Sequence, residues 1–251
     1  MDYENIIYEK KEGVGIITFN RPEQRNALSL QLVREMRQAL EEIEEDDDVK
    51  VMIITGGPAC FSTGGDLAEV GKEESRKAFD VEGHVAFEKI AQLSKPTIAA
   101  ISGWCVAGGL EIAMCCDMRV ASATARIGDA HIKMGLIGGG GGPARLPRLI
   151  PVSKAKELLF TGDSVDAEEA LRLGLVNRVA PLETYMDAAM ELARKIAKHS
   201  LLGLRLTKRA VNWALNMNEY QAVEYTRVCS NDVLASAEFK ERIRAFLSKQ
   251  K

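Results

Sequence analysis

Two short loops rich in small residues contain backbone groups that could bind a developing negative charge. Residues 60–67 read Cys-Phe-Ser-Thr-Gly-Gly-Asp-Leu, and residues 102–111 read Ser-Gly-Trp-Cys-Val-Ala-Gly-Gly-Leu-Glu. Glycine lets a ligand approach the backbone closely. If Gly108 begins a helix, its N–H has no partner within that helix and points outward at the positive end of the dipole. One N–H from each loop, directed at a common point, would form an oxyanion hole for a carbonyl oxygen.

The composition of the two loops leaves a second interpretation open. Each loop follows a short apolar run, at 51–55 and 97–101, and glycine is common in ordinary turns between a strand and a helix. Glu111 also has two interpretations. It follows Gly108 by one helical turn, which would bring its carboxylate near the reacting carbons of a ligand held by that amide. Alternatively, it is a first-turn carboxylate that only stabilises the helix dipole.

The apolar patterning around these loops predicts an α/β architecture. Strands of buried type are predicted at 14–19, 51–55, 97–101 and 118–121. Helices are predicted between them, the first with Ser29 as its N-cap, the second over about 76–93 and the third carrying Glu111. This alternation favours a sheet of largely parallel strands. Trp104 is expected in the core. Beyond residue 182 four segments are predicted to be helical, namely 183–198, 202–215, 217–234 and 236–248.

The composition excludes several classes of protein. The chain has 251 residues, of which 46% are hydrophobic and 27% charged, and its net charge is −3, which argues against a dedicated nucleic-acid binder. Five cysteines without a CxxC pair and only three histidines make a structural metal site unexpected. No membrane span or signal peptide is predicted, so a cytoplasmic location is expected, with an organellar one reached through a removed transit peptide left open.

Taken end to end, the chain resembles the enoyl-CoA hydratase/isomerase (crotonase) superfamily. Any single matching segment is common, but here they follow one another in family order and at family spacing over most of the chain. The matching segments are 16–28, 53–56, 61–67, 95–103, 107–117, 161–162 and 167–177.

The resemblance implies a fold, an assembly and a ligand. Residues 1–195 would form a spiral of ββα units, and residues 196–251 a helical region that mediates trimerisation, with trimers often pairing into hexamers. The apolar residues of that region, such as Leu215 and Phe246, must in any case pack on the body or on a partner. The ligand would be an acyl-CoA thioester, so coenzyme A is part of the substrate and no separate cofactor is expected.

The resemblance also assigns residues to the binding of this ligand. The thioester oxygen would lie between the N–H groups of Gly65 and Gly108. Side chains and backbone lining the path of coenzyme A would be Ala27, Thr63, Asp66, Leu67 and Ala68, with Arg25 near the phosphates.

Catalysis would involve Glu111 and, where this chain departs from the family, His131. Hydratases of the family use a glutamate at the position of Glu111 to activate water. His131 aligns with their second glutamate, and it would either deliver a proton to Cα or only fill the pocket and hydrogen-bond Asp129. The glycine run 138–142 replaces a Pro-Gly segment of the family, which suggests close packing beneath the acyl group or a mobile pocket wall.

The function predicted first is therefore hydration or dehydration, in which a hydro-lyase adds water in a syn manner across a 2-enoyl-CoA, as in fatty acid metabolism. Alternatives are another reaction of the superfamily on an acyl-CoA, namely isomerisation, decarboxylation or hydrolysis, and a non-catalytic acyl-CoA-binding protein. A nucleotide or phosphate-sugar binder is a further alternative. The sequence does not identify the acyl group.

Overall fold

The computed structural model describes residues 3–248, in which strands and helices are interspersed up to residue 180 and only helices follow. The strands are β1 (Ile6–Lys11), β2 (Val14–Phe19), β3 (Val51–Thr55), β4 (Thr97–Ile101), β5 (Trp104–Val106), β6 (Met118–Ser122), β7 (Arg126–Gly128), β8 (Ser164–Asp166) and β9 (Arg178–Ala180). The helices are α1 (Leu30–Glu45), α2 (Leu67–Val70), α3 (Glu73–Gln92), α4 (Gly108–Cys115), α5 (Gly142–Leu149), α6 (Val152–Thr161), α7 (Ala167–Arg172), α8 (Tyr185–Ala197), α9 (Leu201–Ala214), α10 (Glu219–Ala235) and α11 (Ala237–Ser248). Two 3-10 turns span Pro22–Gln24 and His131–Met134.

The strands form two sheets, and the chain passes between them several times after β4. The larger sheet has the order β1-β2-β3-β4-β6-β9 and is parallel from β2 onward, while β1 and β2 form an antiparallel pair. The smaller sheet has the order β5-β7-β8. The chain therefore passes from β4 in the larger sheet to β5 in the smaller sheet before α4 begins, and it makes the same step from β6 to β7. The predicted α/β architecture with largely parallel strands is confirmed.

Both faces of the larger sheet are covered, which explains why β3 and β4 are apolar at nearly every position. Successive strand side chains point to opposite faces. Ile53 belongs to the cluster around α8, whereas Ile54 belongs to the main core with α1. The predicted N-cap of α1 is present, because the Ser29 hydroxyl accepts a hydrogen bond of 3.1 Å from the Leu32 amide.

Helix α4 is buried along its whole length and carries both Gly108 and Glu111. Arg119 of β6, which is 4% exposed, holds the far end of this helix. Its guanidinium donates to the carbonyls of Cys116 at 2.8 Å, Leu175 at 2.6 Å and Ala113 at 3.3 Å. A single buried side chain thus satisfies three carbonyls that would otherwise lack partners.

The C-terminal helices are attached to the sheet through a buried charged pair. Lys208 of α9 lies 2.8 Å from Asp117 and also donates to the carbonyl of Lys95 at 3.0 Å. The four predicted helices of this region correspond to α8–α11. The predicted division of the chain at residue 195 falls in the last turn of α8, which packs on the larger sheet, and the division itself stays a prediction.

One prediction about the core is wrong. Trp104 is 45% exposed rather than buried. It is the first residue of β5, where side chains alternate between the two faces, and the next residue, Cys105, takes the buried position. Within residues 3–248, no helix combines the length and the apolar character needed to cross a membrane.

We expect Arg119→Leu to lower the free energy of unfolding by roughly 2–5 kcal/mol, because it leaves several buried carbonyls without donors. Urea denaturation at a fixed protein concentration measures the change. Arg126→Leu is the matched control, since Arg126 is an exposed residue of β7, and it should change the stability by less than about 0.5 kcal/mol. Equal losses in the two variants would contradict the role assigned to Arg119.

Candidate active site

The two glycine loops lie side by side. Residues 60–67 follow β3, and a bridge between Ser62 and Cys105 joins them to β5. The Ser62 amide donates to the carbonyl of Trp104 at 3.0 Å, and its carbonyl accepts from the amide of Val106 at 3.1 Å. As a result, a Cβ atom placed on Gly108 would lie only 3.6 Å from the nitrogen of Gly65.

The amides of Gly65 and Gly108 are available to a ligand. Neither donates a hydrogen bond to another group of residues 3–248. Gly108 is the first residue of α4, so its N–H lies at the positive end of the helix dipole. The preceding Ala107 has φ 52° and ψ −125°, a conformation that residues other than glycine rarely adopt. This sharp turn brings the start of α4 against Gly64 and Gly65, an arrangement suited to an oxyanion hole.

Glu111 occupies the first turn of α4 and is 3% exposed. Its Oε1 atom accepts a hydrogen bond of 2.8 Å from the amide of Gly142, at the start of α5. Burial raises the pKa of the Glu111 carboxyl above its ordinary value, although the amide hydrogen bond and the nearby His131 act in the opposite direction. A carboxylate in this state can accept a proton near neutral pH more readily than an exposed one.

His131 begins the 3-10 turn after β7 and connects two carboxylates. Its Nε2 atom lies 3.8 Å from Oε2 of Glu111, and its Nδ1 atom lies 2.8 Å from Oδ1 of Asp129. Burial lowers the pKa of the imidazole, but the Asp129 hydrogen bond and the charges of Asp129 and Glu111 outweigh it, so the pKa of His131 is raised. The three side chains form a row that could carry a proton.

The glycine run 138–142 packs directly against this row. A Cβ atom on Gly138 would lie 2.8 Å from Oε1 of Glu111, and one on Gly140 would lie 2.5 Å from the ring of Phe87 and 2.7 Å from Oε2 of Glu111. At Gly142 it would lie 2.6 Å from Oδ2 of Asp129. The run therefore allows the backbone to contact both carboxylates.

The residues expected to line the path of coenzyme A gather at one rim of the loops. The amide of Thr63 donates to the carbonyl of Arg25 at 3.3 Å, and Arg25 is exposed with φ 50°. Asp66 caps α2, because its Oδ1 accepts from the amide of Ala68 at 3.1 Å. Leu67 is 58% exposed. Ala27 is half-buried.

Two residues hold this rim, Arg21, which sequence reasoning did not identify, and Asn26, which the resemblance places only along the path of coenzyme A. Arg21 lies 3.0 Å from Asp66 through its Nη2 atom and donates to the carbonyl of Ala27. The buried Asn26 has φ 54°, and its side-chain amide donates to the carbonyls of Gly56 and Cys60 at 2.9 and 2.7 Å. Arg21 and Asn26 lie inside a segment that resembles the superfamily, but the partners of their side chains become visible only in the fold.

Comparison with known proteins places this geometry in context. The sequence model of the family described as Enoyl-CoA hydratase/isomerase matches residues 9–251. The short-chain-enoyl-CoA hydratase of Clostridium acetobutylicum is 38% identical over 256 residues, covering 100% of this chain and 97% of the relative. The crotonyl-CoA hydratase of Syntrophomonas wolfei is 37% identical, with 100% and 98% covered. A crystal structure of an enoyl-CoA hydratase from Bacillus anthracis has a TM-score of 0.94 at 34% identity, with 98% and 97% covered.

We expect Gly140→Ala to lower the free energy of unfolding by about 1–3 kcal/mol, because the new methyl group overlaps the buried ring of Phe87. Thermal or urea denaturation measures this loss, and a crystal structure of the variant should show the Glu111 carboxylate displaced. Gly139→Ala is the matched control, since a Cβ there has no neighbour within 4 Å. An unchanged stability and an unmoved Glu111 in the Gly140 variant would show that the run is not closely packed.

Proposed function

The chain belongs to the enoyl-CoA hydratase/isomerase family, and we propose on this basis that it is an enoyl-CoA hydratase. It is a hydro-lyase that adds water across the 2,3 double bond of an enoyl-CoA thioester and, in reverse, dehydrates the 3-hydroxyacyl-CoA. Relatives at 37–38% identity over the full chain carry the names short-chain-enoyl-CoA hydratase and crotonyl-CoA hydratase. Crotonyl-CoA is therefore the first substrate to test.

The observation that carries this proposal is the approach of His131 to Glu111 within 3.8 Å, beside the free amide of Gly108. Hydration needs two groups that act on adjacent carbons, together with donors that stabilise the enolate formed between the two steps. In the proposed mechanism the amides of Gly65 and Gly108 hold the thioester oxygen. Negative charge that develops on this oxygen is stabilised by about 3–4 kcal/mol per donor.

The two side chains then have complementary tasks. Glu111 orients a water molecule towards C3 and takes one of its protons as the C–O bond forms. His131, in its protonated form, gives a proton to C2 as the enolate collapses. One proton has entered Glu111 and one has left His131, so the net reaction is addition of H2O. Transfer of the proton from Glu111 to Nε2 of His131 restores the starting state.

The substrate's coenzyme A would bind along the rim formed by the glycine loops. We propose that backbone groups make most of the contacts with the adenine and pantetheine, and that these groups belong to Ala27, Thr63, Leu67 and Ala68. Asp66 would hold the loop beside them, and Arg25 would bind the phosphates. The exposure of Arg25 and its contact with Thr63 support this proposal. Coenzyme A is part of the substrate, so the proposed reaction needs no other cofactor.

We further propose that the protein assembles as a trimer or a dimer of trimers in the cytoplasm, where it would serve fatty acid metabolism. The region from α9 to α11 supports the proposed assembly because it exposes many large apolar side chains, which subunit contacts would cover. These side chains are Val211, Trp213, Leu215, Tyr220, Val223, Val228, Leu234, Ile243, Phe246 and Leu247.

Turnover of crotonyl-CoA, followed by the loss of the conjugated enoyl thioester absorbance, tests the proposed reaction. We expect Glu111→Gln and His131→Ala each to lower kcat by roughly 10²–10⁴, with a smaller change in KM, because each loses a proton-transfer group. His131→Gln should not restore the rate, since an amide does not donate a proton at neutral pH. His84→Ala, at an exposed histidine of α3, is the control and should keep the wild-type rate.

The pH dependence gives an independent check. The protonated form of His131 is the active one in hydration, so the rate should fall as pH rises through the raised pKa of His131. A wild-type protein that binds acyl-CoA without turnover would instead indicate a binding protein. Conversion to an isomerised, decarboxylated or hydrolysed product would indicate another reaction of the family.

Light scattering tests the proposed assembly. We expect a mass three or six times that of the 27.5 kDa chain at micromolar concentration, because association buries the apolar side chains of α9–α11. A stable monomer at that concentration would contradict the proposal.

A further inference from the structure

Asp129 has a buried carboxylate beside the active site, and the proposed hydration mechanism gives this carboxylate no role. It follows β7 directly and is 2% exposed. Its Oδ1 atom faces both the backbone amide of His131, at 3.0 Å, and the Nδ1 atom of the same residue, at 2.8 Å. The side chain of His131 is thus fixed at its base by two contacts with a single oxygen.

The second oxygen of Asp129 has no hydrogen-bond partner among residues 3–248. Gly138 and Gly142 approach it so closely that a Cβ atom on either residue would lie 3.1 or 2.6 Å away. A buried carboxylate that lacks full hydrogen bonding is costly unless a positive charge lies next to it. The imidazolium form of His131 supplies that charge, with its Nδ1 atom 2.8 Å from Oδ1 of Asp129. The ionised form of Asp129 and the protonated form of His131 therefore stabilise each other.

The contact also determines which nitrogen of His131 faces the substrate. When Nδ1 donates its proton to Asp129, the neutral ring must carry its lone pair on Nε2. Nε2 is the atom that lies 3.8 Å from Oε2 of Glu111. The ring can therefore give up a proton at Nε2 and regain one there without rotating.

We propose that Asp129 is a positioning residue of the active site, which holds His131 in the tautomer and orientation that let Nε2 exchange a proton with Glu111. This inference rests on the proposed hydratase function and deepens it. In each turnover the N–H bond at Nε2 breaks as the C–H bond at C2 forms. The proton that Glu111 took from water then passes to Nε2, while the Nδ1–H bond stays intact and Asp129 neither gains nor loses a proton.

Among residues 3–248, the charged groups that lie against the imidazole of His131 are the carboxylates of Asp129, at 2.8 Å, and Glu111, at 3.8 Å. Other charged groups on the same turn and on the neighbouring helices are paired with each other or exposed. They are Lys133 with Asp163, Lys154 with Glu157, Arg145 with Glu88, and the exposed Arg148 and Lys156. Replacement of Asp129 by a neutral residue should therefore change the titration of His131 in a predictable direction.

Histidine NMR tests this part of the inference without any need for turnover. The chain has three histidines, and His84 and His199 are exposed, so the signal of His131 can be assigned by the His131→Ala variant. We expect Asp129→Asn to lower the pKa of His131, because the variant removes the adjacent negative charge, and to leave the other two histidines unchanged. An unchanged titration of His131 would overturn the proposal.

Kinetics test whether the contact serves catalysis. We expect Asp129→Asn to lower kcat by about tenfold or more with little change in KM, and to shift the fall in hydration rate at high pH to lower pH. In a His131→Ala background, Asp129→Asn should lower kcat almost no further, because Asp129 acts on catalysis only through the imidazole of His131. Additive losses in the double variant would show that Asp129 acts on the structure as a whole and would refute the positioning role.

Two controls separate this role from a general loss of stability. Asp117→Asn changes another largely buried carboxylate, one paired with Lys208 rather than with an active-site residue, and it should leave the pH profile unchanged. Asp129→Ser gives a smaller neutral variant in case Asp129→Asn does not fold. If the wild-type protein shows no hydratase activity, the proposed function fails. A lowered pKa in the NMR experiment would still establish that Asp129 controls His131.

Discussion

The active site depends on burying a complete short helix that carries a carboxylate. Helix α4 is buried from Gly108 to Cys115, and its first turn, with Glu111, lies beside the two glycine loops. A buried charge and a buried helix end both require partners. The amide of Gly142 serves the carboxylate, and Arg119 serves the far end of the helix. The remaining active-site groups are arranged around these two requirements.

The imidazole of His131 lies between the carboxyl groups of Glu111 and Asp129. Each carboxylate favours the protonated imidazole, while burial opposes any isolated charge. With His131 protonated and both carboxylates ionised, the positive charge lies between two negative ones, which lowers the cost of burying these groups. Glycines at 138, 140 and 142 make this packing possible, since a side chain at any of them would displace a carboxylate or the ring of Phe87.

Much of the frame could be predicted from the sequence, because long apolar strands and amphipathic helices carry a periodic signal. The strands at 51–55 and 97–101, the N-cap Ser29 and the four C-terminal helices are where the pattern indicates them. Strands β5, β7 and β8 have three residues each, which is too short for a period to be detected. The prediction that Trp104 lies in the core is wrong for the same reason, because Trp104 belongs to the short strand β5. Likewise, the two glycine loops and Glu111 are visible in the sequence, and the family resemblance assigns their amides to a ligand, but the contacts of Asp129 and Asn26 depend on segments that meet only in the fold.

The bridge between Ser62 and Cys105 has a consequence for how the protein acquires its active site during folding. The two loops follow β3 and β4, which are neighbours in the larger sheet but far apart in sequence. Parallel strands of this kind pair only after a long stretch of chain has closed, and that closure is slow and entropically costly. No fragment of the chain and no partly folded intermediate that lacks this pairing can possess the oxyanion hole. Regain of activity therefore reports completion of the central sheet rather than the earlier appearance of helices.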